Sequence, residues 1–180
     1  MARPASTYGF YYRFSMSGKS HPAVLEVTLD DTATVTIGDA ITISNGYAST
    51  SGAATSIAGI LVGIVDKNGI PFQMAEATAT GTKTNDITYV TASDNTTGDM
   101  VKAQLIADTD AVFEGQADST LTLAEEYEFF ELTSAGDRVT GSGSTTAAQM
   151  QLLKMIGVSG TGTTGYFRIA ETEFPTTLTV

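Results

Sequence analysis

Asn45-Gly46 stands directly after the alternating segment Ala40-Ile-Thr-Ile-Ser44, and this junction constrains the chain more than any other feature. A two-residue hairpin turn of type I′ needs positive φ at both central residues, which Asn and Gly accept most readily. The same grammar recurs along the chain. Gly38-Asp39 precedes the alternating strand, and Asp66-Lys-Asn-Gly69 follows the apolar run Ile57 to Val65. Further strands are expected at Tyr8–Phe14, Ala23–Leu29, Ile70–Met74, Asp86–Thr91, Met100–Ala107, Ala111–Gly115, Thr120–Leu123, Tyr127–Leu132 and Tyr166–Ala170. Roughly a dozen short strands at intervals of about 8–12 residues are the signature of β-sandwiches and barrels.

The expected fold is therefore all-β, a short-stranded sandwich or barrel with long Gly/Thr/Ser loops and at most one short helix. Loops are expected at Ala48–Ser56, Gly136-Asp137, Gly141–Ser144 and Gly160–Gly165, where turn-forming and small residues cluster. The helix candidate is Thr145–Ile156, whose Ala147, Ala148, Leu152, Leu153 and Ile156 fit helical spacing, although Leu152–Val158 reads equally well as a strand. The run of Ala, Thr and Gly from Ala75 to Asn85 reads as a linker or a polar edge strand. The expected division is an N-terminal arm at 1–20, a small β domain at 21–83 and a second β domain at 84–180, with a single domain over both as the alternative.

Charge narrows the function classes. With 20 acidic and 9 basic residues the chain carries a formal net charge of −11. Such a surface repels phosphate backbones and anionic lipid heads, which argues against nucleic acid and membrane as partners. The longest apolar run, Ile57 to Val65, holds two glycines and is too short to span a bilayer. Residues near Met1 lack the apolar core of a signal peptide, so a soluble protein made in the cytoplasm is expected.

Chemistry-bearing patterns are scarce. The absence of cysteine removes thiolate nucleophiles and Cys-based zinc sites. His21, the single histidine, lies in a polar loop before Pro22, and no Gly-x-Ser-x-Gly elbow accompanies the many serines. The acidic groups Asp108/Asp110/Glu114, Asp94/Asp99, Glu125/Glu126/Glu128 and Asp30/Asp31 lack the alternating acids and central Gly of a calcium loop. Gly141-Ser-Gly-Ser and Gly160-Thr-Gly lack the Lys-Ser/Thr ending of a phosphate loop. No catalytic, metal-binding or cofactor-binding residues are expected, and the chain reads as a non-enzyme.

The aromatic stretch at the N-terminus is the strongest binding candidate. In extended backbone Tyr8, Phe10, Tyr12 and Phe14 share one face. That face could complete this protein's own core or dock on a neighbour as an arm. Arg3 and Arg13 in an acidic chain, and the break at Ser15–Ser20, favour the arm. The expected partner-binding residues are Arg3, Tyr8, Phe10, Tyr12, Arg13 and Phe14. Glycan binding on a tyrosine platform is a third reading.

The segment Thr36-Ile-Gly-Asp-Ala-Ile-Thr-Ile-Ser-Asn-Gly-Tyr47, followed by Ile57-Ala-Gly-Ile-Leu-Val-Gly-Ile-Val65, resembles tailed-bacteriophage head-decoration (cement) proteins. The stretch from Val101 through Phe113-Glu-Gly115 to Tyr127 has a similar character. The resemblance implies a non-enzymatic virion protein, a homo-oligomer such as a trimer. It would bridge major capsid protein subunits on the outside of the shell. Other readings are a different virion component (major capsid, tail or fibre-associated protein) or a receptor- or glycan-binding β-module.

Overall fold

The computed structural model describes residues 9–31, 33–52, 56–65, 68–71, 88–90, 101–143, 149–157 and 162–170. The expected linker at 75–85, the Asp94–Asp99 turn and the stretch 145–148 lie outside the described residues. The described residues form thirteen strands: β1 (Tyr11–Ser15), β2 (Val24–Thr28), β3 (Thr34–Thr36), β4 (Ala40–Ser44), β5 (Tyr47–Thr50), β6 (Gly59–Val65), β7 (Thr88–Val90), β8 (Lys102–Ile106), β9 (Ala111–Leu121), β10 (Phe129–Leu132), β11 (Val139–Gly143), β12 (Met150–Ile156) and β13 (Gly162–Ile169). The helical content among the described residues is one 3₁₀ turn at Leu123–Glu125. The fold is all-β.

The first sheet runs β2-β8-β6-β4-β5, antiparallel throughout. Asn45 (φ 52°) and Gly46 (φ 85°) form the β4–β5 turn with Ser44 opposite Tyr47, as the type I′ reading requires. The strand β5 occupies the start of the stretch expected to be a loop from Ala48. The Gly38-Asp39 turn is closed from both sides: Thr36 N–H donates to Asp39 Oδ2 at 2.7 Å, and Asp39 N–H donates to the Thr36 carbonyl at 2.9 Å. The sheet curls until Leu29, just beyond β2, bridges to Ala48 of β5. Leu29, Ile41, Ala48, Leu61, Ile64 and Leu105 fill the enclosed space.

The second sheet runs β1-β9-β11-β10-β12-β13, and β13 returns to pair with β9, closing a five-stranded barrel with β1 laid on its side. Ala111, Phe113, Ala117 and Leu121 of β9 point inward at period two and meet Phe130, Leu132, Met150, Leu152, Phe167 and Ile169. β9 continues through the break expected between Gly115 and Thr120. Two loop expectations are corrected here, and one choice between helix and strand is decided. Met150–Ile156 is a strand, because alternate residues Met150 and Leu152 enter the barrel while Gln151 faces out. Gly141 lies within β11, whose parallel partner β9 brings Ser119 so close that a Cβ at Gly141 would overlap its side chain. Residues 162–165, expected as a turn, continue β13 alongside β9.

The two sheets do not divide at 83/84 as expected. β8, at Lys102–Ile106, pairs with β2 and β6, so the first sheet draws on chain beyond that boundary. Conversely β1, from the expected arm, pairs with β9. A row Ala40–Ile60–Ile106 crosses β4, β6 and β8 in register and packs into the core of the second barrel. Their sequence neighbours Ile41, Leu61 and Leu105 face the first core. This two-sided burial is why Ile57 to Val65 reads as a near-continuous apolar run instead of alternating.

Backbone hydrogen bonds join the barrels at the same place. Phe10 N–H donates to the Gly38 carbonyl (2.7 Å) and Ala40 N–H to that of Gly136 (2.9 Å), while Gly38 N–H, donating to the Leu61 carbonyl (2.8 Å), ties the turn to β6 of its own sheet. Gly9 lies against Gly38 so closely that a Cβ there would stand 2.5 Å from the Gly38 carbonyl carbon.

Candidate interaction surface

β1 is positioned by its pairing with Ala111–Glu114 of β9, which fixes where each aromatic of the N-terminal stretch falls. Phe10 is 1% exposed. Its ring meets Phe167 edge-on at 6.1 Å and fills the space a side chain at Gly115 would need. Tyr12 is half-buried, edge-on to Phe113 at 6.3 Å. Arg13 pairs with the buried carboxylate of Glu114, its Nη2 and Nε lying 2.6 and 2.8 Å from Oε2. Phe14 stays 47% exposed, edge-on to Tyr166 at 5.9 Å. Arg3 and Tyr8 lie outside the described residues.

The docking-arm expectation is corrected for Phe10, whose ring is buried within this chain. Tyr12, half-buried, and Arg13, exposed, make the contacts described above within this chain, because β1 lies on the barrel. Of the six expected residues Phe14 is the described aromatic that still presents a large outward surface.

The chemistry-bearing side chains serve local structure. His21 is exposed, its Nδ1 3.1 Å from Ser20 Oγ. Asp108 Oδ1 accepts from Asp110 N–H (2.9 Å), while its Oδ2 lies 3.5 Å from Lys19 Nζ. Glu125 accepts from the N–H and hydroxyl of Thr122 at 2.6 and 2.8 Å, a capping box on the 3₁₀ turn. Glu126 accepts from Met155 N–H at 3.1 Å. Among the described residues no three His, Cys, Asp or Glu side chains converge on a point that could hold a metal ion. Nor is any helix of the described residues long and apolar enough to cross a membrane.

What stands out instead is the outer face of the second barrel. Phe129, Gln151 and Arg168 form one row across β10, β12 and β13, and Lys154 and Tyr166 form the next across β12 and β13. Gln151 fixes this row, accepting from Arg168 Nε at 2.7 Å and donating to the Tyr127 carbonyl at 3.0 Å. Tyr127 itself is held at φ 72° and is 68% exposed, with its N–H donating to the Leu152 carbonyl at 2.7 Å. A left-handed conformation is uncommon outside Gly, Asn and Asp, and strained residues that persist cluster at binding and switch sites. Sequence reading missed this face because its members lie far apart along the chain, and only strand register assembles them.

Neither a protein-family model, nor a curated protein, nor a solved structure matches the chain.

Proposed function

We propose that this chain is a non-enzymatic virion structural protein that decorates the exterior of a phage capsid and bridges neighbouring major capsid protein subunits. One observation carries the reading beyond the sequence resemblance. The row Ala40–Ile60–Ile106 of one barrel lies in the core of the other, with backbone hydrogen bonds beside it. Two barrels sharing a core form a stiff body, which suits transmitting tension between subunits of a shell under outward pressure. The net charge of −11 favours a position outside the shell, away from the genome. The chain is made in the host cytoplasm and joins the particle through protein contacts, not nucleic acid or membrane.

Copy number tests this reading. Quantitative mass spectrometry of purified particles should give a stoichiometry on the scale of the major capsid protein, and particles lacking the protein should rupture at lower temperature. A few copies per particle would point to a tail or fibre part, and none would end the virion reading. The exposed Tyr127 and Phe129 favour a second reading, a glycan-binding β-module, since sugars stack on open aromatic rings. Retention on immobilised polysaccharide that is lost in Tyr127→Ala would support it.

A further inference from the structure

The chain enters and leaves the second barrel beside the same strand. β1 and β13 both pair antiparallel with β9 and therefore run parallel to each other. They flank it on opposite sides, since Glu114 faces Tyr11 of one and Tyr166 of the other. At the end of β1, Ser15 lies opposite Ala111. Phe167 lies opposite Phe113, so the same register carries Ile169, at the exit, to the level of Ala111. Entry and exit thus stand at opposite ends of a shared stretch of β9.

Both ends are held. Phe10 leads into β1 with its ring buried over Gly115 and against Phe167, and its N–H donates to the Gly38 carbonyl at 2.7 Å. Arg13 then grips the buried Glu114 carboxylate. At the exit Phe167 and Ile169 are fully buried, and Ala170 N–H donates to the Gln149 carbonyl at 3.0 Å. β13 is paired along both edges, with β12 and with β9. Among the described strands β1 pairs with β9 alone, which makes the β1–β9 joint the first to yield.

Tension between entry and exit loads this joint in shear. Phe10, at the level of Gly115, and Ile169, at that of Ala111, are offset along β9 by about 14 Å at about 3.4 Å per residue, against about 10 Å across two strand spacings. The larger component of such a pull runs along the strands, so the four register pairs of β1 and β9 resist together. From this geometry we infer that the fold is a tension clamp, in which force between the chain before β1 and the chain after β13 is carried through β9 by shear. The clamp takes from the shell-bridging reading only the source of its load, and it can fail while the particle stoichiometry stands.

Single-molecule pulling on the full-length chain tests it. One tether joins handles at the two ends of the chain. A second joins the C-terminal end to a cysteine introduced by Ser17→Cys, unique because the chain has no other. Ser17 follows the Ala111 end of β1, level with Ile169, so this pull acts across the strands and opens their pairs one at a time. Forced unfolding is governed by the unfolding rate. Each backbone hydrogen bond is worth about a fivefold factor, so pairs resisting together should make rupture at a given force about a hundredfold slower end to end than from Ser17. Phe10→Leu trims the ring that the end-to-end pull meets first. It should speed end-to-end rupture and leave rupture from Ser17 unchanged, with circular dichroism checking the fold. Equal rupture rates in the two directions would overturn the clamp. So would a Phe10→Leu effect that is the same in both, because loss of stability alone has no direction.

Discussion

Phe10→Ala tests whether the N-terminal stretch completes this protein's own core. The ring is 1% exposed, lies edge-on to Phe167, and occupies the space left by the missing side chain of Gly115. Phe167 is in turn edge-on to Phe130 at 6.3 Å, so the ring belongs to a three-member aromatic stack. Burying a phenylalanine contributes about 1.5–3 kcal/mol by transfer, and its removal from a core that cannot collapse costs about 3–5 kcal/mol. The walls here are strands of a closed barrel, which resist collapse, so about 4 kcal/mol is expected. With a urea slope of about 2–3 kcal/mol/M, the unfolding midpoint should fall by roughly 1.5–2 M. Tyrosine fluorescence and far-ultraviolet circular dichroism should report the same shift. Phe14→Ala is the internal control, because that ring is half exposed, and it should cost about 1 kcal/mol or less. A Phe10→Ala midpoint within about 0.3 M of wild type would refute the core assignment and return this segment to the role of a docking arm.

Two other perturbations probe the seams of the fold. Gly136 sits at φ 70°, where a Cβ would collide with the Ser51 carbonyl oxygen. Gly136→Ala should therefore cost about 2 kcal/mol or more in urea unfolding, from left-handed strain plus displacement of the inter-barrel contact. Gln149 is fully buried and its Oε1 accepts from Leu132 N–H at 3.0 Å. Gln149→Leu keeps the volume but strands that N–H, so a loss of about 1–3 kcal/mol is expected, with faster amide exchange at Leu132.

Much of this architecture was legible in the residues themselves, because it rests on local rules. Asn45-Gly46 dictates a hairpin through backbone conformation alone, and the Gly38-Asp39 turn follows from a side chain that can accept from the backbone N–H three residues before it. The apolar run to Val65 announces a strand buried on both faces. The all-β class comes from many such local signals agreeing. What the residues could not decide is non-local. Leu152 and Ile156 satisfy helical and extended spacing alike, and Met150–Ile156 becomes a strand because β10 and β13 lie on either side of it. Gly141 resembles a loop residue until β9 crowds it, at which point a small residue is what the strand requires. The aromatic face of Tyr8 to Phe14 was compatible with an arm or a core strand, since amphipathic pattern says which side is buried but not against what. Only the pairing of β1 with β9 settles that Phe10 and Tyr12 pack inside this chain. The same holds for the face carrying Phe129, Gln151, Arg168, Lys154 and Tyr166: strand register brings distant residues into one surface, and register is a property of the folded sheet.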